Sequence, residues 1–281
     1  MFKLKKLLKY FVKILQKIMP EKAFDSFYDF AFPLYKDIIR GLYGLKAPLY
    51  SILGGKETAK MSKRVHDIMP YSLVGIGGLE TTYLLTQKVI KDKLEGDLVE
   101  LGVYKGGCAG LIGMAAYSDD SNFGMEKTLW LFDSYEGLPD PTEDDYLDDG
   151  AETGEHVRPL PKGSCLGTLD EVKWLLFEKL KLPEAKIEFV KGWFQDTLPV
   201  HKEKIEKISL LRLDGDWYES TKVCFEHLYD KVVPGGAVII DDYLSCYGSK
   251  KAVDEFLSNR GLSIDLTMDG RGGCYFLKGS D

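Results

Sequence analysis

The chain has 281 residues, 44% hydrophobic and 29% charged, with a formal net charge of −7. That length suits one generous α/β domain or two small ones, and the acidic balance excludes a dedicated nucleic-acid binder, which needs a net basic face. Cys108, Cys165, Cys224, Cys246 and Cys274, like the four histidines, show neither CxxC nor HExxH spacing, the pattern of a reduced cytosolic chain; any metal would be held by oxygens.

The opening stretch MFKLKKLLKYFVKILQKIM alternates lysines with apolar residues at helical spacing and contains no acid. Residues 1–19 thus read as an amphipathic helix stopped by Pro20. Lysines interrupt every apolar run, so a transmembrane span is not expected, and no small-residue cleavage site suggests a signal peptide. Such a helix fits an anionic membrane surface, a partner subunit or the main domain equally well. Residues 21–60, rich in Phe, Tyr and Leu with breaks at Pro33, Pro48 and Gly54–Gly55, read as further helices. The expected division is therefore an N-terminal helical extension, 1–60, and a main domain, 61–281.

From about residue 60 strands and helices alternate. Strands are expected at 96–102, 128–134, 186–192, 207–216 and 237–242, with helices from about 79, at 107–117, 169–182, 220–229 and 250–261. A hairpin-like pair, SIDLTMDG and GGCYFLKG, closes the domain. This alternation predicts an α/β fold with a doubly wound, mostly parallel sheet and an antiparallel end. Ligands of such sheets bind at the carboxyl ends of the strands.

Each strand end carries a chemical signal. After the first comes ELGVYKGG, where Glu100, Gly102, Gly106 and Gly107 lead into a helix; glycines there let a ligand approach the backbone, and the helix offers free N–H groups. The second ends at Asp133, placed to accept both hydroxyls of a nucleoside ribose or to start an Asx turn. The third is followed by Trp193 and Phe194, which fit an adenine wall or plain core. The fourth and fifth end in LDGD and IIDD and are expected to be neighbours, gathering Asp214, Asp241 and Asp242. Three carboxylates read without a basic partner make a hard-cation site, with Mg²⁺ as expected occupant. Asp216, just ahead of a helix, reads as its cap.

Together GDLVELGVYKGG, FDSYEGLPDP, KGWFQDTLP, LRLDGDWYEST, LYDKVVPGGAVIIDDY and KAVDEF resemble the macrocin O-methyltransferase family, from roughly Tyr71 to Phe276. The resemblance implies a Rossmann-like class I S-adenosylmethionine (SAM) methyltransferase fold and Mg²⁺-dependent methyl transfer to a sugar hydroxyl of a glycosylated natural product or cell-surface glycan. It implies Asp214, Asp241 and Asp242 as metal ligands, with Asp214 also the catalytic base. Glu100, Gly102 and Gly106 would line the methionine end of the cofactor, Asp133 its ribose, and Ser134, Gly192 and Trp193 the rest of its site.

Two features exceed the family pattern. The basic N-terminal helix hints at a membrane-associated or lipid-linked glycan, hence a cytoplasmic protein able to touch the inner face of the membrane through residues 1–19. The acidic 139–165 loop has the composition of a lid, and Glu155 and His156 within it are candidates for substrate contact. A homo-oligomer is compatible with the sequence. Asp214–Gly215–Asp216 also matches the DxD signature of metal-dependent nucleotide-sugar glycosyltransferases, and a non-catalytic nucleoside-binding partner is a third reading.

Overall fold

A computed structural model describes residues 18–117, 122–146 and 159–279. Residues 1–17 of the basic stretch, and Glu155 and His156, lie outside the described residues. The chain divides into two units, Met1–His66 and Asp67–Asp281.

In the first unit, helix α1 spans Glu21–Gly44 and α2 spans Lys46–Ile52; α3, Lys56–Ile68, leads into the second unit. Pro33 lies inside α1 rather than at the expected break. One proline removes a single ladder bond, at a cost of about 3 kcal/mol, and a long helix can absorb that. Pro48 falls in the first turn of α2, where its missing N–H has no intrahelical partner to lose. Gly54–Gly55 does separate α2 from α3. No helix among the described residues is long and apolar enough to cross a membrane.

The second unit is built on a seven-stranded sheet in the order β3-β2-β1-β4-β5-β7-β6. The strands are β1 Asp97–Leu101, β2 Leu129–Asp133, β3 Ile187–Lys191, β4 Ile208–Leu213, β5 Val232–Ile240, β6 Thr267–Met268 and β7 Cys274–Leu277. The first five are parallel to their neighbours; β7 runs antiparallel to β5, and β6 antiparallel to β7. The expected final pair is present, with its first strand reduced to two residues.

Alternate strand residues feed two cores, which is why the strands read as unbroken apolar runs. Val99, Leu101, Leu211, Leu213, Val238 and Ile240 face one layer, with Phe225, Leu228 and Val253. Those last three come from α8 (Tyr218–Leu228) and α9 (Tyr247–Asn259). Leu98, Leu131, Leu210 and Ile239 face the other layer, with Val89, Ile112 and Leu176. Val89 belongs to α4 (Ile76–Lys91) and Ile112 to α5 (Gly107–Ala116); Leu176 follows α6 (Leu169–Lys173). Helix α7, Phe194–His201, was not foreseen; it packs Leu198 into the first core. Each such side chain contributes about 1.5–3 kcal/mol on burial. The strand order reverses between β1 and β4, opening a crevice at their carboxyl ends.

Candidate active site

The parallel ladder continues one residue past the strands. Gly102 N–H donates to the Phe132 carbonyl (2.9 Å), Asp214 N–H to Leu101 (2.8 Å), Asp241 N–H to Leu213 (2.9 Å) and Gly192 N–H to Asp133 (2.9 Å). These bonds align the first residues of four loops, and the end of β2 between them, along one edge, so the strand ends singled out above meet at that edge.

At the β1 end, Gly102 adopts φ +86°, and a Cβ there would lie 1.8 Å from the Asp214 carbonyl oxygen. Only glycine lets the β1 and β4 turns approach this closely. Gly106 is left-handed at the N-cap of α5 and makes no side-chain cap, so no side chain of its own covers the first amides of the helix. Glu100 is 1% exposed and its Oε2 has no hydrogen-bond partner among the described residues. Burial raises its carboxyl to about 8, against the opposing pull of Arg212.

Asp133 is committed more deeply than its ribose role foresaw. Its Oδ2 accepts from the N–H groups of Val103 (2.6 Å) and Tyr104 (3.1 Å), and Oδ1 from Tyr135 (2.6 Å). The carboxylate ties the β1 loop to the β2 loop and keeps about one of its four lone-pair sites for a ligand. Ser134 is turned into its own loop, with Oγ donating to the Gly137 carbonyl (3.0 Å) and accepting from Glu136 N–H (3.1 Å). Gly192 has φ +140°, and half-buried Trp193 caps α7, while Phe194 packs on the first core.

Across the crevice, Asp214, Asp241 and Asp242 each bring a carboxylate oxygen within 4.8 Å of the others. Sequence reading saw no basic partner, and here the structure corrects it: wholly buried Arg212 donates from Nη1 to Asp214 Oδ2 (2.9 Å) and from Nη2 to Asp241 Oδ1 (2.8 Å). One oxygen of each aspartate remains for a ligand. Asp242 accepts from Ser245 Oγ (3.2 Å) and from Asp216 N–H (3.2 Å). Burial and the neighbouring carboxylates push Asp241 up to about 7, and Asp242 well above the usual carboxylate range.

Asp216 belongs to the site rather than to the helix cap expected of it. Trp217 is the N-cap of α8, while Asp216, at φ +58°, lies with Asp242 and Cys246 in a second group within 4.8 Å. Burial, then Asp214 and Asp241, lift its carboxyl to about 8. The signal available in sequence was its spacing of two from Asp214.

The residues fit both groups that the site suggests. Three converging carboxylates with free oxygens suit a hard cation, and an orphaned acid beside a glycine turn at a helix N-terminus suits an amino-acid zwitterion. Sheet order and site together define a SAM-dependent O-methyltransferase of the Rossmann-like class I fold. The chain belongs to the macrocin-O-methyltransferase (TylF) family, whose model matches residues 50–278. It is 36% identical over 206 residues to demethyldecarbamoylnovobiocin O-methyltransferase from Streptomyces niveus, covering 73% of this chain and 75% of that one. It is 31% identical over 261 residues to 8-demethyl-8-(2,3-dimethoxy-alpha-L-rhamnosyl)-tetracenomycin-C 4'-O-methyltransferase from Streptomyces olivaceus, covering 90% and 93%. The solved structure of the O-methyltransferase NovP superposes with a TM-score of 0.64 at 35% identity, over 75% of this chain and 83% of that one.

Proposed function

We propose that the protein methylates a sugar hydroxyl of a glycosylated natural product or cell-surface glycan, using SAM and a Mg²⁺ ion held by Asp214, Asp241 and Asp242. The observation that carries this reading is the close approach of Gly102 to Asp214, which sets the cofactor turn and the carboxylate cluster on one edge. Names of relatives that act on glycosylated antibiotics support the acceptor class. A nucleotide-sugar transferase would have no use for the glycine turn and the acid after β2.

When bound, SAM supplies an electrophilic methyl on a positive sulfur, and Mg²⁺ supplies Lewis acidity and a template for vicinal hydroxyls. The chain's own part is alignment and proton transfer. Glu100 Oε2 would hold the cofactor ammonium, and the α5 N-terminus its carboxylate. Asp216 takes the acceptor proton in preference to Asp214, because Asp214 gives one oxygen to Arg212 whereas Asp216 forms no ion pair among the described residues. Its side chain accepts only weakly, from the Cys246 thiol at 3.7 Å.

Calorimetry with S-adenosylhomocysteine, with Mg²⁺ and with EDTA, tests the reading. The wild type should bind both ligands. Asp216→Asn should keep that binding within about threefold and lose about 10²- to 10⁴-fold in methyl transfer to a sugar acceptor, the usual worth of a general base. A wild type that ignores the cofactor but binds a nucleotide sugar with Mn²⁺ overturns the proposal.

The N-terminal helices add a location to this reading. Ile38, Leu42, Leu45, Leu49, Ile52 and Leu53 are all exposed, and the six lysines of residues 1–17 precede them in sequence. An anionic membrane surface matches both chemistries, each lysine contributing up to about 1 kcal/mol. Full-length protein should co-sediment with vesicles containing phosphatidylserine, and the combined change Lys5→Glu, Lys6→Glu, Lys9→Glu, Lys13→Glu should release it. Equal pelleting of both proteins would remove the membrane from the proposal.

A further inference from the structure

We infer that Arg212 is a positioning residue for the cation site: its guanidinium takes one oxygen of Asp214 and one of Asp241, turning the other oxygen of each toward the bound ion. The inference rests on the metal reading above and goes beyond it, since no ligand role involves Arg212.

Its place in the sheet is unusual. β4 is buried along its whole length, and Arg212 is its one charged residue, 0% exposed. In register it sits beside Glu100 of β1 and Ile239 of β5. A guanidinium present only to balance charge would bond its neighbour in the same row, Glu100. The shorter contacts go instead two register positions further on, to Asp214 at 2.9 Å and Asp241 at 2.8 Å, while Glu100 Oε1 stays at 3.5 Å. Among the described residues Arg212 Nε and Glu100 Oε2 are both buried without hydrogen-bond partners, so the fork keeps only the longer contact to Glu100 and gives its short bonds to the two aspartates.

The choice of arginine fits the geometry. A planar fork can span two acceptors on adjacent strands with each bond straight, whereas a lysine ammonium is a point charge on a flexible stem. Without the fork, two carboxylates in one row would rotate apart to relieve repulsion, and a cation would have to regather them at the moment of binding. Arg212 would thus hold the two carboxylates in place before an ion binds. It touches neither substrate nor cofactor in this role.

The test compares wild type with Arg212→Lys, which keeps the charge and loses the fork. Mn²⁺ binding is read by electron paramagnetic resonance, and S-adenosylhomocysteine binding by calorimetry. Arg212→Lys should bind Mn²⁺ about 10- to 100-fold more weakly, bind S-adenosylhomocysteine within about threefold of wild type, and regain methyl transfer at high Mn²⁺. A general folding defect would weaken both ligands together and would not be rescued by metal; that outcome overturns the inference, as does unchanged Mn²⁺ affinity. Should Arg212→Lys not fold, a crystal structure of the wild type with Mn²⁺ decides. Anomalous density on the free oxygens of Asp214 and Asp241, with Arg212 still on Oδ2 and Oδ1, supports the inference. Density with the guanidinium displaced overturns it and leaves the metal site standing, whereas no density at the three aspartates sinks the metal reading and the inference with it.

Discussion

Asp242→Asn is expected to lower methyl transfer by about 10³-fold or more while making the metal-free protein more stable than wild type. The two effects have one cause. Asp242 is 7% exposed, shares its surroundings with Asp214, Asp216 and Asp241, and forms no ion pair among the described residues. Its charge is therefore a cost to the fold, met in metal-free protein by taking up a proton, so the stability gained by the amide grows as pH rises above the ordinary carboxylate range. The amide keeps the shape, and its carbonyl oxygen can still accept from Ser245 or Asp216 N–H, but the ligand charge is gone. Sites that hold ligands commonly sacrifice stability in this way.

The same cluster fixes the pH dependence. In metal-free protein Glu100, Asp216 and Asp241 are raised to about 8, 8 and 7, and Asp242 is raised as well. Folded protein therefore binds more protons than unfolded between about pH 4 and 8, and stability falls as pH rises through that window. Urea unfolding in EDTA at pH 5 and pH 8 should show this slope, and Asp242→Asn should flatten it. A substitution that lowers stability, or leaves the slope unchanged, would mean that the acids do not repel one another as described.

Gly102→Ala carries the second large effect, this time on the fold itself. At φ +86° an alanine pays left-handed strain of about 1–2 kcal/mol. Its methyl would also sit 1.8 Å from the Asp214 carbonyl, a backbone atom held by the β1–β4 ladder, which adds about 1–3 kcal/mol of overpacking. For a chain of this size the total of about 2–5 kcal/mol corresponds to a Tm loss on the order of 5–15 °C, with S-adenosylhomocysteine binding lost at the same time. Gly163→Ala is the control: it has φ +79° with open space around it, so it carries strain without the clash. Equal Tm losses in the two variants would show that the close approach costs nothing.

Much of this was legible because it depends on local pattern. Mostly apolar runs ending in Gly102, Asp133, Asp214 and Asp241 announce buried parallel strands and their loaded ends, and several motifs in the right order carry the family. The missing parts depend on residues distant in sequence. Arg212 interrupts LLRLD, and a charge within a strand buried on both faces was a signal in plain view, but which acids it would grip depended on the pairing of β4 with β5. Asp216 looked like a cap because it precedes a helix; its left-handed backbone, which turns it into the acid cluster, leaves no mark in the sequence. The three amides that converge on Asp133 come from two loops about thirty residues apart. Gly77 and Gly78 stand in no motif of their own, yet a Cβ on Gly77 would strike the Asp269 carbonyl at 2.1 Å, so they admit the β6–β7 turn beside Asp241.

The seam between β1 and β4 joins Leu101 to Leu213, residues far apart along the chain, and both ligands are expected on its two sides. No contiguous stretch of polypeptide contains the two half-sites, so their affinity exists only when the whole sheet has assembled. Occupancy is thereby linked to global unfolding: a ligand at a hundred times its Kd adds about 2.7 kcal/mol to the unfolding free energy of the entire domain. Thermal melting with a panel of glycosides therefore becomes a means of finding the acceptor, reading each candidate through the cooperativity of the fold before any methyl group is transferred.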